Sequence, residues 1–309
     1  QRLALNYLSA IDKPESFGAE DPYAIHANRA YLYFNQDRYP EALADADAAL
    51  AIRKTTDMQM VRLRILARLG KHRQVIEESR TLLSAMPAAP LPDMQRAGLL
   101  ETMGLSLLQT GSNELAISVF SSALTADSNL VSALYPRGLA WHKQDKTREA
   151  LADFKLYLER NPAPPAVFWG DYGVAHGANR DYAGGISNME KAVAFYPFDI
   201  NAEAELGYQA MKGNQNRKSR KAFRKAIETQ TLAIPYLEGS EQEAYRKKQT
   251  LLKEEYTKLD KVFGLQVYAT RTDLNDDIVQ RDVDTLQGAI ASQAGVVGSW
   301  RPPLIGLRN

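Results

Sequence analysis

Metal or acid–base chemistry would have to come from four histidines and an acidic run near the C-terminus, and their spacing supports neither. His26, His72, His142 and His176 contain no His-x3-His pair, and each stands far from the next along the chain. A zinc site needs further ligands, such as a carboxylate, converging on such a pair. Asp273, Asp276, Asp277, Asp282 and Asp284 lack the calcium-loop pattern with glycine at its sixth position, so they read as a solvated loop. Cysteine is absent, which excludes thiolate ligands, Cys nucleophiles and disulfides. No paired carboxylates on one face, Gly-x-Ser-x-Gly elbow or phosphate loop occurs. The expectation is a protein with no catalytic residues, no metal and no cofactor: one that binds rather than an enzyme.

Charge narrows what it binds. Lys+Arg number 38 against 37 Asp+Glu, net +1, without the basic surplus that neutralising nucleic-acid phosphates requires. One local run stands out: Arg217, Lys218, Arg220, Lys221, Arg224 and Lys225. It reads either as a membrane-proximal basic patch, drawn to anionic lipid by about 1 kcal/mol per charge, or as the solvated outer face of a helix.

The elements that must position these residues are set by repetition. From Gly138 to Pro162 the chain reads GLAWHKQDKTREALADFKLYLERNP: a helix, a polar turn and a second helix ended by proline. Gly104, Gly138, Gly173 and Gly207 recur at a nearly constant interval, and Ala116, Ala150, Gly185 and Ser219 keep the same one. That interval, a period of about 34 residues, is the tetratricopeptide (TPR) signature, in which antiparallel hairpins stack on their neighbours. The fold class expected is all-α, a right-handed TPR superhelical solenoid with a short C-terminal β segment. Residues 1–12 read as a partial repeat helix belonging to a longer protein, 22–234 as six TPR repeats, 235–261 as a capping helix and 262–309 as the first strands of a barrel. The mid-helix glycines cost roughly 1 kcal/mol each against alanine, which predicts a close approach of two backbones there. Pro87, Pro90 and Pro92 forbid a continuous helix and lengthen one connector. Ser240 and Glu243 form a capping box, and Tyr245, Leu252, Tyr256 and Leu259 give its helix a face to dock on the last repeat.

In this frame the first helices present a groove for a protein or glycan partner, lined by Tyr31, Phe34, Arg64, Tyr135, His142 and Tyr208, with Leu105, Leu108, Leu139, Val174, Gly177 and Met211 in equivalent places. The alternative is that these side chains pack between helices. Co-chaperone TPRs grip a C-terminal carboxylate with converging cationic donors. The corresponding places here hold Ala27, Tyr31, Val61, Gly98 and Thr102, so that clamp is missing.

From Phe263 the apolar period switches to two. FGLQVYATRTD and then SQAGVVGSWRPPLIGLRN, with Trp300, Arg301 and Pro302, resemble the region where the periplasmic TPR array of the bacteriophage adsorption protein A family enters its outer-membrane β-barrel. The resemblance implies a periplasm and cell-outer-membrane location, membrane attachment through the barrel, a role in exopolysaccharide export or as a phage receptor, and a phage tail protein as partner. The other reading is a soluble TPR adaptor that binds a peptide or partner protein.

Overall fold

The computed structural model describes residues 21–85 and 91–262. The leading helix expected over 1–12 and the strands expected over 263–309 lie outside these residues. The described residues are built of α-helices and two short 3-10 turns. No helix among them is long and apolar enough to cross a membrane.

The chain divides into two compact units. The first, to Asn161, holds four hairpins: α1 (Pro22–Phe34) with α2 (Tyr39–Ile52), α3 (Thr56–Arg68) with α4 (His72–Ala85), α5 (Asp93–Gln109) with α6 (Asn113–Ala126), and α7 (Leu134–Lys143) with α8 (Thr147–Arg160). The second, from Pro162, holds α9 (Ala166–Ala178) with α10 (Tyr182–Phe195), α11 (Ile200–Lys212) with α12 (Asn216–Ala233), and a long α13 (Gly239–Val262). Helix α5 starts at Asp93, directly after Pro92, which is tolerated just outside the first turn.

All six hairpins turn the same way. A residue just beyond each first helix takes the left-handed conformation: Asp37, Gly70, Gly111, Asp145, Arg180 and Asn214, with φ between +56° and +78°. The next amide donates back across the turn, as Lys71 N does to Leu66 O (2.9 Å) and Lys146 N to Trp141 O (3.1 Å), which satisfies carbonyls the helix end leaves open. Gly, Asn and Asp enter this region at little cost; arginine does not. Arg180→Gly is therefore expected to raise stability by about 0.5–1 kcal/mol, after the larger unfolded-state entropy of glycine is subtracted. A rise in the urea midpoint at unchanged slope checks this.

The mid-helix glycines have a different reason from close backbones. A Cβ on Gly104 would stand 2.7 Å from the Phe120 ring, one on Gly138 2.5 Å from Phe154, and one on Gly207 2.5 Å from Phe223. Each phenylalanine lies on the second helix of the same hairpin and is fully buried. The glycine seats a ring; only Gly173, beside Met189, also meets a backbone atom, Gly185 O at 3.1 Å. Where the first helix carries more bulk the partner shrinks: Ala30 with Ala46, and Leu63 with Ser79, all buried.

One residue before this place, arginine of the first helix reaches an acid on the second. Arg137 forks onto Asp153 (2.8 and 2.7 Å), Arg29 onto Asp45, and Arg62 joins Glu78 at 2.6 Å. Asp45 and Asp153 are almost fully buried. In the third hairpin the equivalent pair is apolar, Met103 and Val119.

Helix α13 docks on α11 and α12. Leu252 and Leu259 are buried in one cluster with Ile200, Phe223 and Ala226, and Tyr245 and Tyr256 pack against it. The expected capping box is displaced: the helix begins at Gly239, whose φ is +54°, and Ser240 falls inside the first turn.

A buried acid in this unit carries a testable pH dependence. Glu203 is 3% exposed and pairs with Lys225 Nζ at 2.5 Å. Burial pushes its carboxyl above the ordinary range, and Lys225 offsets only part of that. The folded state thus holds this proton more tightly than the unfolded chain does. The stability belonging to the protonated form is lost as pH rises from the unfolded value, about 4.3, through the raised folded one. Glu203→Gln should be more stable than the parent near pH 7, with the difference closing as pH falls through the acid range. Thermal unfolding of both proteins from pH 4 to 8 is the measurement.

Candidate functional site

The residue that follows the ring-seating place on each first helix is the candidate for contact. In the first unit these residues are Tyr31, Arg64, Leu105 and Leu139 on α1, α3, α5 and α7. Each of these first helices touches the next, so the residues form a row. Tyr31 is 44% exposed and Leu105 41%, and Arg64, on the first helix between theirs, is exposed too; Leu139 is half-buried.

The row is closely built at its centre. Burial is the main cause that pushes the Tyr31 hydroxyl above its usual pKa; Asp57 and Tyr23 add to this and Arg64 opposes it. A methyl at Gly98 on α5 would lie 3.4 Å from Arg64 Nη2 and 3.6 Å from Met60 Cε, ordinary contact distances that place the guanidinium against α5. Asp57 accepts a hydrogen bond from Gln95 Nε2 at 2.9 Å, joining α3 to α5 beside the row. The Asp57–Gln95 bridge escaped sequence reasoning, because its spacing along the chain does not match the repeat period.

The other candidates fare differently. Phe34 is half-buried with its ring edge toward Tyr39, centroids 5.7 Å apart. Tyr135 stacks on Tyr157 at 5.4 Å and leans on Phe154. His142 is half-buried in the last turn of α7. Tyr208 meets Phe223 edge-on at 5.0 Å and lies against the cluster that α13 closes, which also takes Met211. Leu108 is buried, and Gly177 is filled by the Gln209 side chain. Tyr31 and Arg64 are thus the two of the six groove candidates left open, while three of the rings serve packing. The places where a carboxylate clamp would sit are mostly core: Ala27, Val61 and Thr102 are buried, and Thr102 Oγ1 donates to Gly98 O.

The basic run lies on α12 and is largely engaged. Lys218 pairs with Glu190 and Lys225 with Glu203, each at 2.5 Å; Arg224 is 3.7 Å from Glu228, and Arg220 lies 5.9 Å from the Tyr256 ring centroid. The pairs with Glu190 and Glu203 offset two of the six charges. Among the described residues no cluster of His, Asp or Glu is arranged to hold a metal ion. The acidic run from Asp273 to Asp284 lies outside them.

The hairpins, their repeated turn and the ring-in-notch packing define an all-helical, TPR-like solenoid. Solved structures carry the same fold. The chain is similar to the C-terminal part of a TPR repeat-containing protein from Cytophaga hutchinsonii, with a TM-score of 0.53 and 16% identity over 75% of this chain and 88% of that one. It is likewise similar to a tetratricopeptide repeat protein from Parabacteroides merdae, with a TM-score of 0.50 and 16% identity over 77% of this chain and 97% of that one. No protein-family model and no curated protein matches the sequence.

Proposed function

We propose that the chain is a non-enzymatic TPR scaffold that holds an extended segment of a partner protein along the row Tyr31, Arg64 and Leu105. The observation that carries this is the exposure of Tyr31 and Leu105 at equivalent places of first helices in one row, where water contact is costly for apolar area and a partner's side chains would remove it. A displayed library of short random peptides, panned on the full chain, tests it. Selected peptides should lose at least about tenfold in affinity with the Tyr31→Ser/Leu105→Ser double variant, since two partly buried side chains together contribute more than about 1.4 kcal/mol. They should be unaffected by Leu115→Ser, a comparably exposed leucine on the second helix α6. Equal losses from both variants would refute the assignment to this face.

For location, the proposal is the periplasmic side of the outer membrane, within an exopolysaccharide exporter that phage can use as a receptor. It rests on the C-terminal resemblance through Trp300, Arg301 and Pro302. Fractionation of native cells, with protease applied to intact cells and to spheroplasts, decides it. Cutting of an outer-membrane protein only after the periplasm is opened supports the location; a protein found in the soluble cytoplasm is an adaptor instead.

A further inference from the structure

Arg64 differs from every other arginine on the first helices of its unit. Arg29 is held by Asp45, Arg62 by Asp47 and Glu78, Arg68 by Asp37 at 3.6 Å, Arg96 by Asp93, and Arg137 by Asp153. Arg64 has no carboxylate within ion-pair distance among the described residues. Asp57 on the same helix accepts from Gln95 Nε2. The guanidinium is exposed, with its Nη2 near Gly98 of α5. On successive first helices Arg64 occupies the place equivalent to the exposed Tyr31 before it and Leu105 after it.

We infer that Arg64 binds a carboxylate of the partner segment, and that the partner is an acidic peptide whose Asp or Glu side chain is flanked by apolar residues. This rests on the groove reading above. A planar guanidinium presents paired N–H donors that match a carboxylate, and flanking apolar contacts lower the local dielectric and strengthen that pair. The row continues on both sides of Arg64, toward Tyr31 and toward Leu105, so the bound chain runs past it in both directions. The carboxylate is therefore an internal side chain rather than a chain terminus. Arg64 also stands apart from the five places of the co-chaperone clamp, four of which hold Ala27, Val61, Gly98 and Thr102.

The test uses the full chain and the library-selected peptides, each synthesised with acetylated and amidated ends and in Glu and Gln forms. The Glu form should bind about tenfold more tightly, the size expected for hydrogen bonds to a charged group. Arg64→Gln should erase that preference while leaving the affinity for the Gln form unchanged; Arg64→Lys should keep part of it. Arg64 makes no ion pair among the described residues, so an unshifted thermal transition verifies that the variant is intact. Equal affinity of Glu and Gln forms for the parent protein, or a preference that survives Arg64→Gln, overturns the inference and leaves the groove reading standing. Failure to select any peptide overturns both. A gain on freeing the C-terminal carboxylate, with no effect of the internal Glu, overturns the choice of an internal side chain.

Discussion

Gly138→Leu should loosen the α7–α8 hairpin by about 3 kcal/mol, and adding Phe154→Ser should restore most of that. Leucine improves helix propensity by about 1 kcal/mol over glycine, but its Cβ alone would stand 2.5 Å from a ring that is fully buried. Overpacking of that kind costs about 1–3 kcal/mol and occasionally more. Phe154→Ser alone leaves a cavity of ring size, at about 3–5 kcal/mol. Together they reproduce the combination already present in the second hairpin, Leu63 with Ser79. The coupling between the two sites should therefore be several kcal/mol and favourable. Because a repeat array need not unfold in one step, amide exchange within α7 and α8 is the measurement. Additive losses in the double variant would show that the two places do not share one volume.

Asp153→Ala should cost about 3 kcal/mol, near the lower end for breaking a buried pair because Arg137 keeps some solvent contact. The residue left behind is the whole cause: Arg137 would keep Ser121 Oγ at 3.2 Å and lose both carboxylate bonds. Arg137→Met/Asp153→Val, which copies Met103 and Val119 of the preceding hairpin, should come within about 1 kcal/mol of the parent or exceed it, since apolar replacement of a buried pair is often neutral or stabilising. Denaturant unfolding of the three proteins measures the difference. A double variant as weak as Asp153→Ala would mean that the arginine fork does more than pack and neutralise.

Much of the fold was legible because its determinants are local and repeated. The spacing of Gly104, Gly138, Gly173 and Gly207 marks equivalent turns of helix whatever surrounds them, and Pro162 or Gly70 acts on its own backbone. The apolar face of α13 was legible too, because Tyr245, Leu252, Tyr256 and Leu259 share one stripe at helical spacing. The meaning of the glycines was not: a missing side chain says that something approaches, and the buried rings on the second helices say what. The arginine–acid pairs keep one constant spacing and were present in the sequence, but Arg29 and Asp45 look like ordinary surface charges until the hairpin closes over them.

The groove divides along the same line. Sequence alone established which residues occupy equivalent places on successive first helices, since register follows from the repeat period. Whether each place stays open depends on neighbours that the period does not describe: Tyr157 stacked on Tyr135, Tyr39 against Phe34, and α13 closing over Tyr208. Only packing between elements decides how much surface a side chain keeps, and it left Tyr31, Arg64 and Leu105 to the solvent.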